Sequence, residues 1–218
     1  MTITMKITNT ARRIALIAAL VSGAALSGCA GVSADVQASR PDSASSADET
    51  ASGWQGPRTY ALARTALQDA SGYHQQYEIS VRTELEKYGF AATSGPDAHY
   101  LLSVAYDTRA ASIGVQAGAC EQGGCSDAAK ASFPWFGGRT YRHALTLRFF
   151  DKASGRELYK VSATSEDRDA GPLHAIPYLV KSALAQFPFE GHADWRVKLR
   201  PGDADGAPRV VSVKPLQP

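Results

Sequence analysis

The sequence predicts an α+β fold. A mostly antiparallel sheet carries two helices packed on one face as a two-layer sandwich, in the order β-α-β-β-β-α. Three observations lead there. Two segments space their apolar residues as helices do. Several others alternate apolar and polar residues at the strand period. One turn-rich pentapeptide, Asp151-Lys152-Ala153-Ser154-Gly155, joins two of those strands as a hairpin.

Thr59-Tyr60-Ala61-Leu62-Ala63 is the expected opening strand. From His74 to Tyr88, the residues Tyr77, Val81, Leu85 and Tyr88 recur every three or four positions among Arg82, Glu84, Glu86 and Lys87. That is one buried face of an amphipathic helix, and Gly89 suits its end. Pro96-Asp97 then turns the chain into a strand over Ala98 to Asp107, with Tyr100, Leu102, Val104 and Tyr106 on one face. Tyr141 to Asp151 is the next strand, with Leu145, Leu147 and Phe149 on one side, and Arg156 to Thr164 returns as its hairpin partner.

The closing helix is the clearest element. Ile176, Leu179, Val180, Ala183, Leu184 and Phe187 form a single stripe, Pro177 occupies the first turn where its missing N–H costs little, and Pro188 ends the run. Trp195 to Leu199 adds a further short strand.

Domain organisation follows from composition. Residues 1–28 read as a secretory leader: Lys6, Arg12 and Arg13, then the mostly apolar run Ile14 to Ala25, then small residues. The run is too short for a membrane span, which needs about 20 apolar residues. Leu26-Ser27-Gly28-Cys29 resembles a bacterial lipobox, which implies acylation of Cys29 and cleavage before it. Ala30 rather than Asp after the Cys implies export to the outer membrane. Residues 29–53 are rich in Ala, Ser and Asp, without aromatics before Trp54, and are expected to be a flexible tether. Residues 54–200 form the expected single domain. Residues 201–218 are a Pro/Gly-rich tail in which only Arg209 to Val213 could pair as a strand.

Loss of the leader leaves 20 Lys+Arg (23 less Lys6, Arg12 and Arg13) against 21 Asp+Glu. So balanced a chain, with no basic patch along it, gives no reason to expect nucleic acid.

The order of these features resembles the domain-of-unknown-function 4136 family of envelope lipoproteins. The likeness runs from the lipobox through Leu85-Glu86-Lys87-Tyr88-Gly89-Phe90, Gly95-Pro96-Asp97-Ala98 and Leu145-Thr146-Leu147-Arg148-Phe149-Phe150-Asp151 to Ala185-Gln186-Phe187-Pro188. Tyr159 stands where the family pattern leads one to expect Trp. The family supplies no catalytic residues to carry over.

A long insertion, Ala110 to Thr140, separates two predicted strands and holds six glycines, Cys120 and Cys125. Connections of this length in compact domains are usually functional or disordered. With Cys29 assigned to lipid, Cys120 and Cys125 make an even pair in an oxidising compartment, and a disulfide is the favoured reading. Zinc would need two more ligands, and none lies close in sequence. Phe133, Trp135 and Phe136 have two readings. They fold back over the sheet face that the helices leave open, or they form an exposed tip that contacts a partner protein or lipid headgroups.

Signatures of catalysis are absent from the sequence: no H-E-x-x-H, G-x-S-x-G, S-x-x-K or P-loop occurs. Glu166-Asp167-Arg168-Asp169 is expected to be a solvated loop, and no catalytic residue, cofactor or metal is expected. The expected function is a non-catalytic interaction or accessory module. It would be anchored in the bacterial outer membrane through its acyl chains, face the periplasm and dock on an envelope protein. The alternative is a periplasmic binder of small molecules or lipid fragments, with a pocket between the sheet and the insertion lined by Tyr100, Leu102 and Phe133 to Phe136.

Overall fold

The computed structural model describes residues 31–40, 54, 56–111, 139–202 and 206–216, all within one unit, Gly31–Pro218. Eight strands form one sheet: β1 Val32–Ser39, β2 Thr59–Ala63, β3 Ala91–Ala92, β4 Tyr100–Ala110, β5 Tyr141–Asp151, β6 Glu157–Asp167, β7 Asp194–Arg200 and β8 Arg209–Pro215. Their order across the sheet is β3-β2-β4-β5-β6-β1-β7-β8. β2 runs parallel to both β3 and β4, and every other neighbouring pair is antiparallel. Among the described residues the helices are the short α1 (Ala66–Asp69), α2 (Gly72–Glu86) and α3 (Ile176–Ala183), with one 3-10 turn at Gly95–Asp97. This is the expected α+β sandwich.

The periodicities translate directly into burial. Tyr77, Val81 and Leu85 of α2, and Ile176, Leu179, Val180 and Ala183 of α3, share one core with Tyr100, Leu102 and Val104 of β4 and Leu145, Leu147 and Phe149 of β5. Ser71 caps α2 by accepting the His74 N–H. Its exit is closed by Gly89 at φ +77, a left-handed position that glycine adopts without steric cost. The last helix is shorter than its stripe: α3 stops at Ala183, yet Leu184 and Phe187 still turn into the core.

Three boundaries need correction. The stretch expected to be a tether contains β1, an interior strand hydrogen-bonded to β6 on one side and β7 on the other. Its own apolar content is slight, but Ala34, Val36 and Ala38 alternate with Ser33, Asp35 and Gln37, and α3 packs across the inward row. Burial here is supplied by the neighbours rather than carried by the segment. The C-terminal tail likewise contributes β8, which pairs with β7 along its length. The domain therefore reaches beyond 54–200 at both ends. Finally, Glu166 and Asp167 are strand residues of β6 rather than loop.

Trp54, just ahead of β2, stands edge-on to Phe90, Tyr100 and Phe149, with ring centroids 5.2, 5.3 and 5.1 Å away. Among the described residues no helix is long and apolar enough to cross a membrane.

Candidate functional site

The most concentrated chemistry lies where β5 begins and β6 ends. In that ladder His143 faces Ser165 and Tyr141 faces Asp167, so His143 and Asp167 are diagonal neighbours on the helix-covered face. Thr108 of β4 is directly opposite His143 on the other side. His174, on the segment leading into α3, completes the group, its ring edge-on to His143 at 5.1 Å.

His143 is fully buried, and both of its ring nitrogens have partners. Nε2 lies 2.9 Å from the Asp169 carbonyl oxygen and 3.3 Å from Asp167 Oδ1, and Nδ1 lies 3.0 Å from Thr108 Oγ1. A carbonyl only accepts, so Nε2 carries a hydrogen there, and Nδ1 is engaged by the threonine hydroxyl. His174 Nε2 is 2.8 Å from Asp167 Oδ2, and the Asp169 N–H donates to Asp167 Oδ1 at 2.8 Å. Burial pushes the Asp167 carboxyl upward, but the hydrogen bonds from His174 and the Asp169 backbone, with the nearby imidazoles, outweigh it and hold the group below its ordinary value.

Donor atoms of His143, Asp167 and His174 lie within 4.8 Å of one another, a set suited in type to a zinc-like ion. Geometry favours a different use. With Nε2 donating to Asp169 O, the buried imidazole presents no lone pair to a cation. What the group does as it stands is clasp the end of β6 to β5 and to the chain entering α3.

Two open hollows lie among the described residues. One, about 400 Å³, lies along β2 and the end of β3, lined by Tyr60, Leu62, Arg64, Arg82, Thr93 and Ser94. Arg64 there grips the buried Glu78 through two bonds of 2.6 and 2.7 Å, and His74 Nε2 sits 3.0 Å from the same carboxylate. The other, about 420 Å³, is on the helix-free face among Ser33, Asp35, Arg142, Thr164, Glu166, Arg196 and Lys198.

The residues singled out in the sequence fall elsewhere. Cys29, Cys120, Cys125, Phe133, Trp135 and Phe136 all lie outside the described residues. Tyr100 and Leu102, expected to line a pocket, are sealed in the core under the helices, which removes the two strand residues from that pocket. Sequence reasoning missed the meeting of His143 with Asp167. The turn at Asp151–Gly155 does not reveal it, because the ladder shifts by one residue between Phe149 and Phe150, and that irregularity brings both residues to inward positions a diagonal apart.

A family model described as "Domain of unknown function (DUF4136)" matches residues 44–189. The chain belongs to the DUF4136 family. The matched stretch runs from before β2 to just after α3, so β1, β7 and β8 of this DUF4136 protein lie outside it. No curated protein matches the chain. Among solved structures, a PDZ domain protein from Parabacteroides distasonis is 15% identical with a TM-score of 0.53, over 78% of this chain and 39% of that one. The chain thus spans well under half the length of that protein, and the likeness is one of fold. The PelC dodecamer from Paraburkholderia phytofirmans is similar more distantly, in two structures. One is 14% identical over 70% of this chain and 95% of its own, with a TM-score of 0.39. The other is 13% identical over 60% and 85%, with a TM-score of 0.38.

Proposed function

We propose that the protein is a periplasm-facing lipoprotein, acylated at Cys29 and held in the bacterial outer membrane. There it works as a non-catalytic interaction module of the cell envelope. The observation that carries the interaction reading is the open edge of the sheet. Among the described residues β8 pairs with β7 alone, so its outer row of backbone groups faces no described strand, and Val211 on it is 52% exposed. The two hollows named among the described residues are open rather than enclosed, which suits docking better than retention of a small molecule. Among the described residues, the His143–Asp167–His174 cluster joins β5 to β6 and to the chain entering α3, and the Glu78 carboxylate is taken up by Arg64 and His74.

Two measurements test this. Metabolic labelling with an alkyne-tagged palmitate followed by density-gradient fractionation is expected to show the wild-type chain labelled and in the outer-membrane fraction, and Cys29→Ala in neither state. An unlabelled wild-type chain overturns the anchor. A photo-crosslinking residue at 211 is expected to give an adduct of one defined mass in living cells, absent from a control at the exposed Leu67 on α1. Equal adducts at both positions overturn the edge as a docking surface. In the same compartment Cys120 and Cys125 are proposed to form a disulfide, read as a 120–125 linked peptide in non-reduced digests.

A further inference from the structure

β3 covers only part of the edge it stands on. Of the five residues of β2, Thr59 and Tyr60 pair with Ala91 and Ala92, and the chain then leaves the sheet for the 3-10 turn at Gly95–Asp97. The Tyr60 carbonyl accepts the Thr93 N–H on this side, whereas the Thr59 carbonyl accepts the His99 N–H on the β4 side. Backbone groups alternate in this way along a strand, so the N–H and C=O of Leu62 point to the β3 side. There, among the described residues, no strand pairs with them. About 10 Å of edge, from Ala61 to Ala63, is left open. Natural sheets cover or blunt their edges, yet here the 400 Å³ hollow runs along it.

The lining of the hollow says what it takes. Tyr60 is buried in the core and Leu62 packs partly buried against it, so both turn to the helix-covered face. Residues opposite one another in a ladder point the same way, so a residue added across from Leu62 sends its side chain to that face too. Two arginines line the hollow, Arg64 just past the end of β2 and Arg82 on α2. Arg64 is already matched, with Nε and Nη2 both bonded to the Glu78 carboxylate. Arg82 is exposed and donates to the Tyr60 hydroxyl, but among the described residues no carboxylate forms an ion pair with it. Its guanidinium carries five N–H donors, so most of that capacity is open. Thr93 and Ser94 add hydroxyls to the rim.

We propose that this hollow binds an extended peptide segment carrying an acidic residue, which adds to the sheet at Leu62, in line with β3, and sets its carboxylate on Arg82. Pairing with the Leu62 backbone supplies affinity without regard to sequence, and the arginine selects the acid. The site lies at the opposite end of the sheet from β8. It depends neither on that edge nor on acylation of Cys29.

The test uses the full-length chain, purified in mild detergent as the cell makes it, and a phage-displayed library of random linear peptides. Peptides enriched on it over detergent-treated beads are expected to carry Asp or Glu among β-branched residues. Their synthetic forms are expected to bind Arg82→Glu about tenfold more weakly, and Gln in place of the peptide's acid is expected to cost as much. Leu62→Pro removes the outward N–H at a place where an edge strand tolerates proline, and is expected to abolish binding. If that variant does not fold, slowed hydrogen exchange of the Leu62 amide on peptide addition reads the same contact in the wild type. If Arg82→Glu does not fold, Arg82→Gln replaces it. No enrichment, enrichment of peptides without an acid, or binding indifferent to either Arg82 or Leu62 overturns the proposal. Binding that Val211→Asp removes and Arg82→Glu leaves also overturns it, and assigns the peptides to the β8 edge. Free glutamate competing as well as the peptide overturns it too, and assigns the hollow to a small carboxylate.

Discussion

Asp167 Oδ1 lies 3.3 Å from His143 Nε2, one diagonal step along the β5–β6 ladder, and its other oxygen receives His174 at 2.8 Å. One carboxylate thus ties the last residue of β6 to the third residue of β5 and to the chain on its way into α3. His143 is the buried member, so its loss leaves both a cavity and an unpaired Asp169 carbonyl. His143→Ala is expected to destabilise the domain by about 2–4 kcal/mol in urea denaturation.

Acid should weaken the same clasp. The Asp167 carboxyl titrates below its ordinary value in the folded protein, so the folded state favours the ionised form. Its stabilising contribution is present in full above the ordinary carboxylate pKa of about 3.9 and is lost as pH falls through the lowered folded value. The gap in urea midpoint between wild type and Asp167→Asn is therefore expected to be widest near neutral pH and to narrow below about pH 4. A gap that is constant across that range contradicts the assignment.

Alkali should act through tyrosines. Burial pushes the phenols of Tyr60, Tyr77 and Tyr159 up to about 12, so the folded state resists their ionisation. Stability tied to them is intact below their unfolded pKa of about 10 and is lost as pH rises from there through about 12. A spectrophotometric titration of the nine tyrosines should show a late-ionising fraction that merges with the rest in denaturant.

β1 offers a sharp test of where the domain begins. Val36 is fully buried between β6 and β7, and a carboxylate there would have no partner. Val36→Asp is expected to prevent folding or cost upwards of about 4 kcal/mol, seen as loss of the cooperative melt. A flexible tether would tolerate the same change without effect.

Trp54 makes the corresponding point for the aromatic cluster. Its indole bridges Phe90, Tyr100 and Phe149, so Trp54→Ala should remove about 3 kcal/mol of stability, at the low end for Trp because the side chain is only half-buried. Chemical denaturation monitored by far-UV circular dichroism checks it.

Much of the fold was legible because it is written locally. β5 spans Tyr141–Asp151 as the alternation predicts, and α2 buries the face marked by Tyr77, Val81 and Leu85. These segments carry enough apolar surface to declare their own burial. β1 does not: Ala34 and Ala38 are small, and its only larger side chain that is fully buried is Val36. Composition measures what a segment brings, whereas an interior strand is stabilised by ladders on both sides and by the helix laid across it. The His143 cluster was hidden for a related reason. His143 and Asp167 are 24 residues apart, and a hydrogen-bond partner across a hairpin is defined by register, which a list of motifs does not contain.

Sequence alone therefore determined the α+β class, the faces of α2 and α3, the β5–β6 hairpin and the DUF4136 likeness, since each rests on short-range periodicity or on motif order. Only the tertiary structure decided that Val32–Ser39 belongs between β6 and β7, and that Asp167 meets His143 and His174. Those relationships join residues far apart in the chain, and they exist only once non-local strand pairing has chosen a register.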